Sequence, residues 1–420
     1  MSRAMKKSGI PWIGEIPSHW VTDNIGSLYS QRNEKVSDKD YPPLSVSKIG
    51  VVPQLETAAK TDDGDNRKLV KKGDFAINSR SDRRGSCGIS AYDGSVSLIN
   101  TILTPRTEMN PRFYNWLFHT SVFADEFYKW GHGIVDDLWT TRWAEMKRIS
   151  IVVPPFPEQQ AIADFLDKKC GEIDGMILLQ VKIIEELKAY KQSVITEIVC
   201  KGLNPDVPMK DSGIDWIGLI PNHWYDCRLK NVVSLKTGTT PNGFDLQAED
   251  TIIPWYTPTD ISEDGNVISA SERTLNNSVV IEEGLSLFPA HSLMFVGIGA
   301  SAGKIGYALY EGYSNQQITA LIPFNCVSKF IFYYLIADRK RLRDNAFYTT
   351  LPIINNAYLS QERIVFPPIE EQQAIAEYLD EKCKEIDTLI SVKQSKIDAL
   401  KEYKKSIIYE YITGKKEIPA

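Results

Sequence analysis

The chain has 420 residues, 43% of them hydrophobic and 24% charged, with a formal net charge of −6. That make-up fits two or three globular domains and excludes extensive disorder. The acidic balance argues against a protein that holds nucleic acid by bulk charge, so any such binding must rest on local groups.

At the start, Arg3, Lys6 and Lys7 are followed by no apolar run, so the middle of a secretory signal is missing and a cytoplasmic location is expected. The longest apolar stretch, Phe330 to Ala337, is far below the ~20 residues of a membrane span and runs into Asp338-Arg339-Lys340-Arg341. The six cysteines include no C-x-x-C pair, which predicts a reduced compartment and no metal site.

Ser8-Gly-Ile-Pro-Trp-Ile-Gly-Glu-Ile-Pro-Ser-His-Trp20 returns 204 residues later as Ser212-Gly-Ile-Asp-Trp-Ile-Gly-Leu-Ile-Pro-Asn-His-Trp224. Gly88 to Gly94 and Thr101 to Pro105 are echoed by Gly306 to Gly312 and Thr319 to Pro323. Pro154-Pro-Phe-Pro-Glu-Gln-Gln-Ala-Ile-Ala163 returns 213 residues later as Pro367-Pro-Ile-Glu-Glu-Gln-Gln-Ala-Ile-Ala376. These frames match, whereas Val21 to Ser86 and Tyr225 to Ala302 share almost nothing. A kept frame around divergent interiors points to two readers of different targets on one fold; a duplication kept for stability alone is the alternative.

Each Pro-Pro pair separates a strand pattern (Ile149 to Val153; Arg363 to Phe366) from a helical one. In the first helix Leu166, Ile173, Gln180, Leu187 and Val194 share one heptad position, and Cys170, Ile177, Ile184, Lys191 and Ile198 the other. In the second the same register gives Leu379, Ile386, Lys393, Leu400 and Ile407 with Cys383, Ile390, Ile397, Lys404 and Tyr411. A helix from Glu158 to Cys200 runs roughly 60 Å and needs a partner helix. Its own duplicate, antiparallel by pseudo-two-fold symmetry, is the simplest one; periodicity alone does not separate this from pairing between chains.

Catalytic motifs are poorly represented. Val153-Pro-Pro-Phe156 imitates the Pro-Pro-aromatic element of amino-methyltransferases, but Val153 has no polar group to hold an amine. Gly297-Ile-Gly299-Ala-Ser-Ala302 leads into a strand pattern where a dinucleotide motif requires a helix, and Gly303-Lys304 lacks the phosphate-loop spacing. Pro205-Asp206 with Asp226-Cys227-Arg228 is a poor imitation of a nuclease centre. His19 and His223, beside Trp20 and Trp224, are expected to pack or cap.

The twice-repeated W-I-G-x-I-P-x-H-W segment, the P-P-x-x-E-Q-Q-A-I-A turn and the Ile173-Asp174 and Ile386-Asp387 continuation resemble the specificity subunits of type I restriction-modification systems, over nearly the whole chain. The resemblance implies sequence-specific recognition of a bipartite double-stranded DNA site by two target-recognition domains spaced by an antiparallel coiled coil. It implies two methyltransferase and two restriction-translocase subunits as partners, and no catalysis in this chain. S-adenosylmethionine, ATP and Mg would belong to those partners.

Residues 1–157 carry a charge of +3 and residues 203–369 one of −5, so the chain alone should bind DNA weakly and with strong salt dependence. Base reading needs only a few groups of suitable geometry. In the first half Asn78, Arg80, Arg83 and Arg84 are the candidates, Arg80 first. In the second they are Thr239, Thr240 and Asn242, in a loop where the family carries a similar Gly-x-Thr-Pro, with Lys304, Gln316 and Gln317 approaching the same groove. Arg339 to Arg343 reads as a basic helix end, on phosphates or solvated.

The expected architecture is α+β: a target-recognition domain at 1–153, a long helix at 154–202, a linker at 203–211, a second recognition domain at 212–366 and a second long helix at 367–420. A duplicated coiled-coil scaffold without DNA specificity, or a stand-alone methyltransferase or nuclease, are the rival readings.

Overall fold

A computed structural model of the chain describes residues 3–55, 64–133, 139–241, 253–275, 280, 285–348 and 351–419. It divides into two compact units, Met1–Val181 with Ser395–Ala420, and Lys182–Gln394. Its main helices are α1 (Pro111–Phe118), α2 (Ser121–Lys129), α3 (Phe156–Lys201), α4 (Ser328–Asp344), α5 (Asn356–Gln361) and α6 (Ile369–Ile412). The strands that frame the sites are β1 (Val21–Asn24), β2 (Tyr29–Arg32), β3 (Phe75–Asn78), β4 (Cys87–Ile89), β5 (Asn100–Pro105) and β6 (Ser150–Val153) in the first unit. In the second they are β7 (Tyr225–Arg228), β8 (Val233–Thr237), β9 (Asn266–Ile268), β10 (Leu293–Val296), β11 (Ile305–Ala308), β12 (Ile318–Pro323) and β13 (Arg363–Phe366). The mixed α+β class is the one expected.

In the first unit a sheet ordered β4-β3-β5-β2 packs against α1 and α2 through an aromatic core. Phe75, Phe118 and Phe123 pack in series as tilted rings, with ring centroids 4.9 and 4.6 Å apart. Asn110 caps α1 by accepting from the amides of Arg112 and Phe113, with Pro111 at the first helical position where its missing N–H costs nothing. The first half of α3 buries Leu166, Cys170 and Ile173 in the same core as Ile407, Tyr411 and Ile412 of α6. Phe165 and Tyr411 have ring centroids 4.4 Å apart and Asp174 pairs with Lys404, so the two segments run antiparallel.

The second unit repeats this plan. Its sheet is ordered β8-β12-β10-β11-β9, with α4 against β11. The second half of α3 contributes Ile195, Val199 and Cys200 to a core shared with Leu379 and Cys383 of α6, and Lys191 pairs with Asp387. Ile390 and Leu400 of α6 and Ile177, Ile184 and Leu187 of α3 are half-buried, whereas Ile386 and Ile397 are buried. Among the described residues no helix is long and apolar enough to cross a membrane.

The two sheets share one register. Arg32 opposes Ile102 as Lys236 opposes Ala320, and Cys87 opposes Ile77 as Ile305 opposes Phe295. Positions 75–105 thus correspond to positions 293–323, each 218 residues on.

Candidate nucleic-acid interface

The repeated sequence markers build the frame that holds the loops. Trp20, fully buried, donates from Nε1 to Glu158 at 2.9 Å; His19 and Arg3 bind the same carboxylate. In the second unit Trp224 Nε1 donates to Glu371 at 2.9 Å and His223 lies 2.6 Å from it. The next residue is as consistent: Gln159 Nε2 donates to the Pro154 carbonyl while its Oε1 accepts from Asn110 N, and Gln372 does the same with Pro367 and Val327. The Trp-His pair and the Glu-Gln pair therefore lock the opening hairpin and the start of each long helix together, which is a structural role. Gly14 and Gly218 turn those hairpins at φ of +79° and +71°, a region that favours glycine.

Between β3 and β4, residues 79–86 form a loop tied down by main-chain bonds. Thr141 N donates to Ser79 O at 3.0 Å, Ser81 N to Trp139 O at 3.0 Å, and Asn78 N to Ser86 O at 2.8 Å. The Asn78 side chain accepts from Arg80 N at 3.0 Å, so this candidate shapes the loop. Arg80 is exposed and its guanidinium has no partner among the described residues. Arg83 is exposed beside Asp82, 3.4 Å away. Arg84 is drawn instead to Asp125 of α2 and lies over the Tyr128 ring. A groove of about 490 Å³ lined by Lys48, Asn78, Arg83, Ser97 and Asn100 opens beside this loop.

The neighbouring cations are already committed. Arg32 binds Asp74 through two nitrogens, at 2.7 and 3.2 Å, and this hydrogen bond holds the guanidinium pKa above its ordinary value. Arg67, 4% exposed, donates to the Ser95 hydroxyl and carbonyl at 2.8 and 3.0 Å.

In the second unit the loop between β10 and β11, residues 297–304, has the same length and the same anchors. Ile354 N donates to Gly297 O at 2.8 Å and Gly299 N to Pro352 O at 3.1 Å. Arg80 bridges to Thr140, and Ile298 occupies the corresponding bridge to Ile353. Beside it Thr239 N donates to the Ser314 carbonyl, the Thr240 hydroxyl donates to Gln316 Oε1, and Asn315 Nδ2 donates to Gln317 Oε1 at 3.1 Å. Thr239, Thr240 and Gln316 are exposed and Gln317 is half-buried. Gly238 packs so closely that a Cβ there would lie 2.2 Å from Ser314 Oγ, which explains the glycine of this loop.

Two sequence expectations change. Lys304 does not join the glutamines: its ammonium pairs with Glu263 at 3.3 Å, with Arg339 and Arg343 of α4 at 3.9 and 3.5 Å from the same residue. The basic end of α4 is not simply solvated, because Arg341 turns inward to Asp338, at 2.6 and 2.7 Å, and to Glu362. Asn242 lies outside the described residues. The sequence reading passed over Ile298, since an apolar residue in a loop carries no polar signal, and Lys48, at the tip of the Leu44–Pro53 hairpin. Extending the Gly88 and Gly306 echo backward at constant spacing pairs Arg80 with Ile298 and was the signal available.

Burial pushes the Cys87 and Cys200 thiols up to about 12 and the other four to about 11, so none is an activated nucleophile. Among the described residues no group of three or more His, Cys, Asp or Glu side chains is arranged to hold a metal ion.

Comparison with known proteins agrees with this geometry. Residues 221–402 match the type I restriction modification DNA specificity domain. The chain is 24% identical to the MjaX type I restriction enzyme specificity subunit of Methanocaldococcus jannaschii, over 96% of this chain and 95% of that one. It is 26% identical to the MjaVIII specificity subunit of the same organism, over 64% and 62%. Among solved structures, a chain from work on complex assembly and conformational transition of a type I R-M system superposes with a TM-score of 0.74 at 15% identity, covering 95% of this chain and 99% of that one. The HsdS subunit of Thermoanaerobacter tengcongensis superposes with a TM-score of 0.52 at 16% identity, covering 95% and 98%. Residues 221–402 carry the match to the type I restriction modification DNA specificity domain, and the repeat, the fold and the full-length relatives all liken the chain to the specificity subunits of type I restriction-modification systems.

Proposed function

We propose that this chain recognises a bipartite double-stranded DNA site, one part with each unit, and positions the methyltransferase and restriction subunits of a type I complex on it. The observation that carries the reading is the pair of equal-length loops, 79–86 and 297–304, anchored alike and bearing different side chains. A fixed backbone with variable exposed groups is what base reading requires, because sequence is read by side-chain geometry at base edges. Two methyltransferase and two restriction subunits would complete the assembly. S-adenosylmethionine, ATP and Mg would act in those subunits, this chain making and breaking no bond. Bacterial or archaeal cytoplasm is the setting that fits.

Genome-wide mapping of methylated bases, in cells holding the cognate methyltransferase with and without this chain, tests the reading. Loss of one split motif on deletion is expected, with a swap of residues 21–150 changing only one half of it. An unchanged methylation pattern would overturn it in favour of a scaffold without DNA specificity.

A further inference from the structure

The two loops differ in a systematic way. Counting along the shared register, Arg80 corresponds to Ile298, and Leu98 and Ile99 correspond to Gln316 and Gln317. The correspondence does not rest on counting alone, since Arg80 and Ile298 make equivalent bridges, to Thr140 and Ile353. At these corresponding positions the first unit therefore presents a guanidinium and two aliphatic groups, and the second an aliphatic group and two amides. Leu98 and Ile298 are each 39% exposed, so both aliphatic groups reach the surface. Residues 237–241, 297–303, 314–317 and 351–356 of the second unit include no Lys or Arg at all.

These groups suit different base edges. A guanidinium matches the two acceptors of guanine, whereas an amide matches the donor and acceptor of adenine and an aliphatic side chain packs on the thymine methyl. Resting on the DNA-reading function above, we infer that Arg80 and Ile298 are corresponding specificity positions: the first unit selects a half-site containing guanine through Arg80, and the second selects A·T pairs through Ile298, Gln316 and Gln317. Thr240 orients the Gln316 amide through its hydroxyl. The half-sites are then unequal in composition, although one fold reads both.

The test uses the full chain with its cognate methyltransferase and maps the methylated motif for the wild type and for Arg80→Ala, Arg80→Lys, Ile298→Ala and Gln317→Ala. Arg80→Ala is expected to lower methylation of the original motif about tenfold or more and to relax one guanine position in one half only. Arg80→Lys, which keeps the charge and loses the two-pronged geometry, should relax the same position while total methylation is largely kept. Ile298→Ala and Gln317→Ala should relax A·T positions in the other half. A wild-type motif that is split but unchanged in all four variants, or uniformly weaker methylation with the motif intact, overturns this inference and leaves the DNA-reading function standing. Absence of any split motif with the wild-type chain overturns both.

Discussion

Lys404 reaches across the helix pair to Asp174, its Nζ 2.7 Å from both carboxylate oxygens. The duplicate residues repeat the contact in the other unit, where Lys191 Nζ lies 2.8 and 2.7 Å from the two oxygens of Asp387. A lysine at a seam position gives up apolar burial, and its carboxylate partner recovers part of the loss while marking the alignment of the two helices. Because Asp174 is more than half exposed, the pair is worth at most about 1 kcal/mol. Asp174→Lys is expected to lower the unfolding free energy by roughly that amount, and adding Lys404→Asp to restore most of it. Denaturant unfolding of the two single variants and the double variant measures the coupling.

Glu158 supplies a prediction on the acid side. Burial works to raise its pKa, but the hydrogen bonds from Trp20, His19 and Arg3 outweigh it and hold the carboxyl below its usual value. A depressed folded-state pKa means that the contribution is present above the ordinary carboxylate range and is lost as pH falls through it. Glu158→Gln should therefore flatten the loss of stability on acidification from about pH 5 to pH 3, and at neutral pH should cost about 1–2 kcal/mol through weakened charge-assisted bonds. Unfolding followed at a series of pH values checks both.

Asp338 behaves with the opposite sign. Only 2% exposed, it is pushed by burial up to about 6, the hydrogen bonds from Arg341 opposing the rise. A raised folded-state pKa gives stability that is full below the unfolded value and is lost as pH rises through about 6. Asp338→Asn should remove that pH dependence, of roughly 3 kcal/mol at most, between about pH 4 and pH 6. Asp338→Leu should be markedly destabilising, since it takes from the half-buried Arg341 cation one of the two carboxylates, Asp338 and Glu362, that bind it.

Gln180 occupies a seam position of α3 and is 5% exposed, and its Oε1 accepts no hydrogen bond among the described residues. Gln180→Leu should raise the unfolding free energy by about 1 kcal/mol, since an unpaired buried carbonyl costs of that order. A melting temperature that falls in this variant would show that the amide serves register more than it costs stability.

Much of the fold was legible because its signals are local or repeated. The heptads of α3 and α6, the Pro-Pro turns and the two copies of the opening segment are patterns that survive without knowledge of tertiary contacts. Partners distant in sequence were not legible. Nothing near Glu158 announces Trp20, 138 residues away, and nothing near Arg84 marks Asp125 as the group that draws it from its loop. In the candidate interface, sequence reading gathered polar residues, of which Arg80, Thr240 and Gln316 are exposed and Gln317 is half-buried. It gave Lys304 and Arg341 too much freedom, because whether a cation is available depends on which carboxylate folds against it.

The loops at 79–86 and 297–304 hold their shape through main-chain bonds to residues 139–141 and 352–354, and the side chains at 80 and 298 take no part in that support. Substitution at either position should then be almost silent in folding, within about 0.5 kcal/mol, like other surface changes away from structural features. Mutation can explore those two sites without first acquiring compensating changes elsewhere, so preference for a target is able to drift while the scaffold stays intact.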